Sequence, residues 1–563
     1  MPNSRNAVQQ QRKNFLTPGE ELIFLPLGGS GEIGMNVNLY GCRGKWVMVD
    51  LGMTFADPSY PGVDLILPDL SFIEERREDL LGIVLTHGHE DHIGAIPYLA
   101  ADLGVPLYAT PFTAGLIRGK LIEEGIDKEV KLHVIPMGGS LTLGDFKFRY
   151  AAMAHSIPEG NGLIIDTPFG RIFHTGDWKL DDQPQMGTPS TPAQMIELGD
   201  SGVLAMIGDS TNVFNAKASG SEAGVRDGLL EVIRGRKTGR VLVTTFASNA
   251  ARLHTLGQVA IETGRQVCVV GRSMDRILGV ARATGYLKDF PPVLSFDVAA
   301  RLDPAKLLII CTGAQGEPAA ALSRIASGSH QHLKLERGDC VIYSSKEIPG
   351  NELSIGIVQN ALATRGVEVI TERQAHVHVS GHPGKPELEA MYGWVRPEIA
   401  IPVHGERRHL EAHAKLALAI GVPKAMVPMN GTAIRLAPDG PKLLGHEKVG
   451  RLVLDGDVIL PADGATIVQR RRIMHNGYLS ATVVLNGSGK LAARPSIVTQ
   501  GVPVEDDHKD FLAECAEAAE EAARKGNPRD EDKFAEGVRI ALRRVAREWT
   551  GKKPVTDVQV VRV

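Results

Sequence analysis

The chain has 563 residues, of which 43% are hydrophobic and 23% charged, and its formal net charge is −4 at pH 7. This composition indicates a globular protein with several domains and argues against a membrane-embedded chain. This small negative net charge is not typical of proteins that bind polyanions through their overall charge. Any nucleic acid would therefore have to be held by a local basic channel.

The N-terminal segment, residues 1–19, is polar and is predicted to be flexible. It contains no apolar signal region, and no run of about eighteen uncharged apolar residues occurs in the chain, so neither secretion nor membrane insertion is expected. The cysteines show neither a metal-binding spacing nor a disulfide framework; they are Cys42, Cys268, Cys311, Cys340 and Cys515. These features together predict a cytoplasmic protein without structural disulfides.

In residues 20–215, predicted strands alternate with short predicted helices, and several of these strands end in one polar residue. A further strand of this kind occurs in residues 373–440, and the candidate ligands that follow the strands are Asp50, His155, Asp177 and His404. Ligands collect at the carboxyl ends of strands in layered α/β proteins, which gives this recurrence a structural cause. Taken singly, each residue could equally be a strand cap or a satisfied hydrogen-bonding group.

The densest group of candidate ligands follows the predicted strand of residues 80–86. It comprises His87, His89, Asp91 and His92, and a helix is predicted from Ile93. Imidazole and carboxylate groups suit Zn²⁺ and, less specifically, Mn²⁺, whereas the absence of nearby cysteine argues against a closed structural zinc site. The motif therefore predicts an open metal site able to hydrolyse a substrate. The alternative interpretation is a set of histidines on a solvated loop.

Residues 216–372 show a second α/β pattern, in which four apolar runs alternate with helical stretches. Such a pattern predicts a parallel sheet and hence an inserted domain. The chain then returns to the first domain through residues 373–440. Residues 441–464 are predicted to form a linker, and residues 465–563 a small α/β C-terminal domain with two strands and two helices.

The His-x-His-x-Asp-His motif, followed by a separate His and then Asp, resembles the metallo-β-lactamase fold, an αββα sandwich. Three further segments resemble the additional motifs of the β-CASP nucleases, in which a β-CASP domain is inserted into that sandwich: Gly208–Asn212, His378–His382 and Pro402–Glu406. Within this group, residues 20–440 are most similar to the ribonuclease J family through Thr244–Asn249, Cys311–Pro318, Ala321–Ala326 and Ile348–Glu352. The C-terminal residues resemble that family loosely.

The resemblance implies two Zn²⁺ ions, with Mn²⁺ or Mg²⁺ as alternatives that support activity. One ion would be held by His87, His89 and His155, the other by Asp91, His92 and His404, and both by a bridging Asp177. Asp50 would orient a ligand histidine through its other ring nitrogen. A role as a strand cap stays equally open for Asp50.

The resemblance also implies a substrate pocket beside the metals. His382 is assigned to transition-state charge stabilisation or to protonation of the leaving oxygen, with Asp209 supporting this histidine or the metal ligands. The phosphate pocket is expected at Phe246, Ala247, Ser248, Asn249, His378, Val379, Ser380, Gly381 and His382. Pro383 and Pro386 depart from the family pattern and remove two backbone donors, so the details of this loop are not carried over.

The function implied is that of a metal-dependent ribonuclease of RNA decay and maturation. It would remove nucleotides 5′ to 3′ from single-stranded RNA with a 5′-monophosphate, and internal cleavage stays open as a second activity. The family implies a homodimer or homotetramer and other RNA-degradation proteins as partners. Two alternatives remain: a DNA 5′-nuclease or other hydrolase of the same fold, and a non-catalytic RNA-binding scaffold.

Overall fold

The structure is a computed structural model that describes residues 16–563. Most of the segment predicted to be flexible, residues 1–19, therefore lies outside the described residues. The chain divides into two compact units. The first contains the described residues up to Thr54 together with Leu67–Val449, and the second contains Phe55–Ile66 and Gly450–Val563.

Two large sheets form the centre of the first unit. The eight-stranded sheet has the order Lys442–His446, Thr432–Ala437, Leu22–Gly28, Val37–Cys42, Lys45–Val49, Leu80–Val84, Leu107–Ala109 and Leu132–Val134. The seven-stranded sheet has the order Ser140–Leu143, Phe146–Met153, Gly160–Thr167, Gly170–His174, Ala205–Asp209, Ile399–Val403 and Lys424–Ala425. A short two-stranded sheet pairs Ser30–Gly31 with Gly405–Glu406.

The two large sheets pack face to face through buried side chains of both, including Phe24, Tyr40, Phe148 and Ile207. Helices cover the outer faces, as Met195, Leu388 and Met391 illustrate for the seven-stranded sheet. The helices of this sandwich are Ser71–Glu74, Glu90–Ile93, Ile96–Leu103, Pro111–Glu123, Pro192–Asp200, Lys385–Val395 and Arg407–Ala419, with a 3₁₀ turn at Arg77–Asp79. This is the αββα arrangement that the sequence predicted.

The inserted residues build a separate five-stranded sheet in which every pair of neighbours is parallel. Its order is Gln266–Val270, Leu307–Cys311, Val241–Thr244, Cys340–Tyr343 and Glu368–Ile370. The accompanying helices are Glu222–Arg234, Ala250–Thr263, Arg272–Ala283, Phe296–Arg301, Ala321–Ser327 and Glu352–Thr364, with a 3₁₀ turn at Pro304–Lys306. The three central strands, Leu307–Cys311, Val241–Thr244 and Cys340–Tyr343, are buried along their length because helices cover both faces, which explains their continuous apolar runs. The predicted parallel sheet is confirmed.

The second unit contains a three-stranded sheet in the order Ser496–Gln500, Tyr478–Leu485 and Val555–Arg562. The helices His508–Lys525 and Glu531–Thr550 pack on it through a core that includes Phe511, Val538 and Leu542. The sequence pattern predicts the strands that become Tyr478–Leu485 and Ser496–Gln500 and both helices, but it does not predict Val555–Arg562. This strand pairs in parallel with Tyr478–Leu485, at the far end of the unit's sequence, so no local hairpin signal marks it.

Residues 441–464, predicted to be a linker, contain three strands. Lys442–His446 belongs to the eight-stranded sheet. Arg451–Asp455 and Val458–Pro461 form a hairpin within a small sheet completed by Thr54–Phe55 and Leu65–Pro68, and the helix Ala465–Asn476 follows. Gly456 adopts a φ of 61°, which allows the two-residue connection of this hairpin.

All five cysteines are buried free thiols, as expected. Within the part of the chain that the structure describes, no helix is long and apolar enough to cross a membrane.

Candidate metal centre and substrate pocket

The candidate ligands meet because they follow neighbouring strands of the two large sheets. Asp50 and His87 come after the parallel strands Lys45–Val49 and Leu80–Val84. On the other sheet, three mutually parallel strands end near Asp177, Asp209 and His404. The carboxyl ends of parallel strands lie at one edge of a sheet, and the two sheets face each other, so these side chains converge.

Two of these strand-end residues have strained backbones. Asp50 has a φ of 64° and His404 a φ of 54°, in the left-handed region that non-glycine residues rarely adopt. The His404 amide donates to the Gly29 carbonyl oxygen at 2.6 Å, and the Asp50 amide donates to the Val84 oxygen at 3.1 Å. Such strain is typical of residues whose side chains must point into a functional site.

The first ligand group brings His87, His89, His155 and Asp177 together. His87 Nε2 and His155 Nε2 each lie 3.1 Å from His89 Nδ1. Asp177 Oδ2 lies 3.7 Å from His87 Nε2 and 3.9 Å from His155 Nε2. Three imidazole nitrogens and one carboxylate oxygen thus surround a single position.

These histidines are held as neutral imidazoles. Burial lowers the pKa of His87 well below its usual value, that of His89 to about 4 and that of His155 to about 3. His155 Nδ1 lies 2.7 Å from the Gly381 carbonyl oxygen, so Nδ1 carries the proton and donates it there. The Nε2 lone pair of His155 is therefore directed into the cluster and is available to a metal ion.

The second ligand group consists of Asp91, His92, Asp177 and His404. His404 Nε2 lies 3.1 Å from Asp91 Oδ2, and His404 Nδ1 lies 3.0 Å from Asp177 Oδ1. Asp177 Oδ2 lies 3.2 Å from His92 Nε2. One oxygen of Asp177 therefore faces His404, while the other faces His92 and the first group. This is the placement that a bridging carboxylate requires.

Asp50 lies behind His92 and contacts its other ring nitrogen, with Asp50 Oδ2 2.7 Å from His92 Nδ1. The Thr86 amide donates to Asp50 Oδ1 at 2.8 Å and so fixes the carboxylate. Burial lowers the pKa of His92, but the carboxylates of Asp177, Asp91 and Asp50 outweigh it, and the pKa is raised well above the usual value. Asp50 thus contacts the ring nitrogen of His92 that faces away from Asp177.

The residues present fit two divalent metal ions. In each ligand group the nitrogen and oxygen ligand atoms lie within 4.8 Å of one another, and the cysteines lie elsewhere in the fold. Imidazole and carboxylate donors without thiolate suit Zn²⁺ or Mn²⁺ in a site that keeps an open position.

His382 forms a pair with Asp209 at the edge of the two ligand groups. Its Nδ1 lies 2.8 Å from Asp209 Oδ2, and its ring centroid lies 5.4 Å from that of His155 and 5.6 Å from that of His404. Burial lowers the pKa of His382, but Asp209 and Asp177 raise it more, and the net shift is upward. A third ligand-like group joins both residues to Asp177 and His404, so geometry alone allows His382 to act on substrate or on metal.

The predicted phosphate pocket lies in two loops next to His155. Phe246, Ala247, Ser248 and Asn249 precede the helix Ala250–Thr263, and Asn249 caps this helix by accepting from the Arg252 amide at 2.8 Å. The Ala251 amide donates to the Ser156 carbonyl oxygen at 3.3 Å. The other loop runs through His378, Val379, Ser380 and Gly381.

The second loop approaches His155 closely. A Cβ at Gly381 would lie 2.8 Å from His155 Cε1, so only glycine fits there. The His382 amide donates to Ser380 Oγ at 3.1 Å, which tightens the turn. Burial lowers the pKa of His378 well below its usual value, and its Nδ1 is a buried polar atom without a hydrogen-bond partner among the described residues.

Several residues that hold these groups in place were not predicted from the sequence. Thr86 Oγ1 lies 3.0 Å from His87 Nδ1, and Thr211 Oγ1 lies 3.2 Å from His404 Nδ1. Both threonines lie inside or beside the motifs, so proximity to a ligand was the available signal. Asn36 Nδ2 lies 3.1 Å from His92 Nε2, but Asn36 precedes that histidine by 56 residues and carries no local signal.

Four family profiles match the chain, and they follow one another along it. Residues 45–196 match a beta-lactamase superfamily domain, and residues 238–362 match the beta-CASP domain of ribonuclease J. Residues 366–427 match a Zn-dependent metallo-hydrolase RNA specificity domain, and residues 465–563 match the ribonuclease J C-terminal domain. The predicted fold class, a metallo-β-lactamase domain with a β-CASP insertion and a C-terminal domain, is confirmed.

The relatives agree with these profiles along nearly the whole chain. A ribonuclease J from Sinorhizobium meliloti is 40% identical over 97% of this chain and 98% of its own length. A ribonuclease J from Mycolicibacterium smegmatis is 39% identical over 95% of this chain and 96% of its own length. A solved structure of a protein of unknown function from Enterococcus faecalis, at 15% identity, covers 74% of this chain and 100% of its own with a TM-score of 0.52, which shows a shared fold alone. The chain therefore belongs to the ribonuclease J family, a family of metal-dependent ribonucleases with the metallo-β-lactamase fold.

Proposed function

We propose that the chain is a two-zinc ribonuclease of RNA decay and maturation that removes nucleotides 5′ to 3′ from 5′-monophosphorylated RNA. His87, His89 and His155 would hold one ion, Asp91, His92 and His404 the other, and Asp177 would bridge them. When bound, the two ions supply Lewis acidity toward the scissile phosphodiester and toward the attacking water. Mn²⁺ or Mg²⁺ would fit the same oxygen and nitrogen donors and is an alternative in activity.

His382 is proposed to stabilise charge on the leaving oxygen or to protonate it. The contact between Asp209 Oδ2 and His382 Nδ1 orients the ring, so that Nε2 is the nitrogen available to substrate. Asp209 also keeps the imidazolium form favourable, as the raised pKa of His382 indicates. In this proposal Asp209 acts through the histidine, while Asp177 acts through the metal ions.

The observation that carries the exonuclease proposal is the contact of both pocket loops with the metal-binding strand end. Gly381 accepts from His155, and Ala251 donates to Ser156, one residue further along. The hydroxyls of Ser248 and Ser380 in these loops are suited to a phosphate group. A terminal 5′-phosphate bound beside the metals would place the next phosphodiester at the reacting position, so that one nucleotide is removed at a time.

A 5′-triphosphate would add bulk and negative charge to a pocket shaped for one phosphate. We therefore expect monophosphorylated RNA to be degraded faster than triphosphorylated RNA. Because the overall charge is −4, RNA would have to be attracted by a local basic channel and not by the charge of the whole protein. We further propose that the enzyme acts in the cytoplasm as a homodimer or homotetramer, together with other RNA-degradation proteins.

The experiment uses matched single-stranded RNA and DNA with 5′-monophosphate, 5′-triphosphate or 5′-hydroxyl ends, each labelled at the 5′ or the 3′ end. The proposal predicts mononucleotide release from the 5′ end of monophosphorylated RNA, with slower loss of the triphosphorylated form. Internal fragments alone would contradict the exonuclease proposal, and equal degradation of DNA would favour a DNA 5′-nuclease. RNA binding without cleavage in the presence of Zn²⁺ or Mn²⁺ would favour a scaffold.

Circular RNA gives a second test, because it has no free end to enter the pocket. We expect circles to be poor substrates compared with linear RNA of the same sequence. Rapid digestion of circles would make internal cleavage the main activity.

A further inference from the structure

Glu387 is a buried carboxylate in which both oxygens accept hydrogen bonds, although it lies outside the metal ligands and the phosphate pocket. Its exposed fraction is 3%. Oε1 accepts from the Leu180 amide at 2.9 Å. Oε2 accepts from the Gly384 amide at 2.7 Å and from the Ser219 amide at 2.8 Å, and it also lies 2.7 Å from Ser219 Oγ. Such a set of donors stabilises a carboxylate that burial alone would destabilise.

Helix capping accounts for only part of this arrangement. Glu387 is the third residue of the helix Lys385–Val395, and its contact with the Gly384 amide is the usual reach of such a residue back to the N-cap. The other donors belong to Leu180 and Ser219, which precede Glu387 by 207 and 168 residues. The carboxylate therefore joins three chain segments that are far apart in sequence.

Each of the three segments leads directly to the reacting groups. Leu180 comes three residues after Asp177, and its neighbour Lys179 donates to the Ala154 oxygen, beside His155. Ser219 Oγ also lies within hydrogen-bonding distance of the His382 carbonyl oxygen. Gly384 comes two residues after His382. The Glu387 side chain thus contacts both the segment that follows Asp177 and the segment that follows His382.

The unusual sequence after His382 suits this arrangement. A Cβ at residue 384 would lie 2.1 Å from the Lys217 carbonyl oxygen, so glycine is required for the close approach. Pro386 lies in the first turn of the helix, where the backbone amide has no helical partner to lose. The segment from Pro383 to Pro386 therefore retains the Gly384 backbone amide, which donates to the Glu387 carboxylate.

We propose that Glu387 is a positioning residue, which fixes the backbone of His382 relative to Asp177 by holding both segments through one carboxylate. The inference rests on the proposed role of His382. Glu387 does not touch the substrate in this account. Its loss would displace the His382 backbone and ring, while the metal ligands, which the two sheets hold, and the loop Phe246–Asn249 stay in place.

The test is a double-mutant cycle of Glu387→Gln and His382→Ala, measured with 5′-monophosphorylated RNA. The amide of Glu387→Gln replaces one acceptor oxygen by a donor that faces other N–H groups. We expect kcat to fall by about 10-fold or more, because a displacement of about 1 Å at a reacting group can cost 100-fold. KM should change by less than about 3-fold, and bound metal should equal that of the wild type.

In the His382→Ala background, the same Glu387→Gln change should alter kcat by less than about 2-fold, because the two residues act as one unit. Glu389→Gln is the matched control, since Glu389 is exposed on the same helix. Ser219→Ala is a milder second variant, which keeps the cap and removes only the hydroxyl contact. It should lower kcat in the same His382-dependent manner.

Equal losses in both backgrounds, or an unchanged kcat in Glu387→Gln and Ser219→Ala, would overturn the positioning role alone. Loss of metal from folded Glu387→Gln would also overturn it. A His382→Ala enzyme with wild-type turnover would overturn the proposed role of His382 and, with it, this inference.

Discussion

The metal-ligand groups and the substrate loops lie side by side but are held by different means. The ligands follow strands of two sheets, and their geometry is set by the sheets and by contacts among the ligands themselves. Residues 378–382 lie in a segment without regular secondary structure, which depends on single contacts from His155, Asn212 and Ser219. Substitutions in the two regions should therefore have different effects: those among the ligands should reduce bound metal, and those in the loop should reduce the rate of cleavage.

The largest effect is expected for Asp177→Ala. The substitution removes the carboxylate that faces both ligand groups, so hydrolysis should fall by at least about 10⁴-fold and bound metal should decrease. Asp182→Ala, at an exposed carboxylate nearby, is the control and should behave as the wild type. Turnover at the wild-type rate in Asp177→Ala would show that this residue is not the bridge.

His382→Ala should lower turnover by roughly 10²- to 10³-fold, the range for losing a positioned acid or electrostatic stabiliser. Single-turnover cleavage of 5′-labelled RNA measures this loss without interference from product release. His376→Ala, at an exposed histidine of the same returning segment, serves as the matched control. A loss of less than about 3-fold in His382→Ala would remove this residue from the chemistry.

Asp50→Asn tests the support behind the metal ligands. The amide keeps the size of the side chain but weakens its contact with His92 Nδ1, so metal affinity should fall by about 10- to 100-fold. Excess metal should restore turnover, because the ligands themselves are intact. Titration of metal-free protein with Zn²⁺ measures the shift. Unchanged affinity would leave Asp50 with the structural role of a strand cap.

Ser380→Ala should give the smallest effect. Losing one hydroxyl that serves the phosphate loop corresponds to about 1 kcal/mol, or about 5-fold in KM. The change should appear with 5′-monophosphorylated RNA and not with 5′-hydroxyl RNA, which lacks the terminal phosphate. An equal rise in KM for both substrates would instead indicate a general disturbance of the loop.

Several residues of the candidate site could be located from the sequence because each follows an apolar run that forms a strand. Asp50, His155, Asp177 and His404 are all of this kind, and the parallel sheet of the insertion carries the same continuous apolar signal. The predicted strands were therefore sufficient to place these side chains together at the edges of the two sheets.

The groups that hold the loops could not be predicted in this way. In the local sequence, Glu387 resembles an ordinary residue in the first turn of a helix. Its proposed role depends on Leu180 and Ser219, which lie near it only in the folded chain. Asn36 is missed for the same reason. The C-terminal strand Val555–Arg562 also depends on a distant partner strand. Local patterns carry no information about such pairings.

The most direct test of the separation between the two regions is the number of metal ions bound per chain in purified His382→Ala. Elemental analysis by mass spectrometry would compare this variant with the wild type and Asp177→Ala at equal protein concentration. We expect the wild-type number of ions in His382→Ala and a lower number in Asp177→Ala. Loss of metal from His382→Ala would make His382 a ligand, in line with the third ligand-like group, and would contradict the assignment of its loop to the substrate.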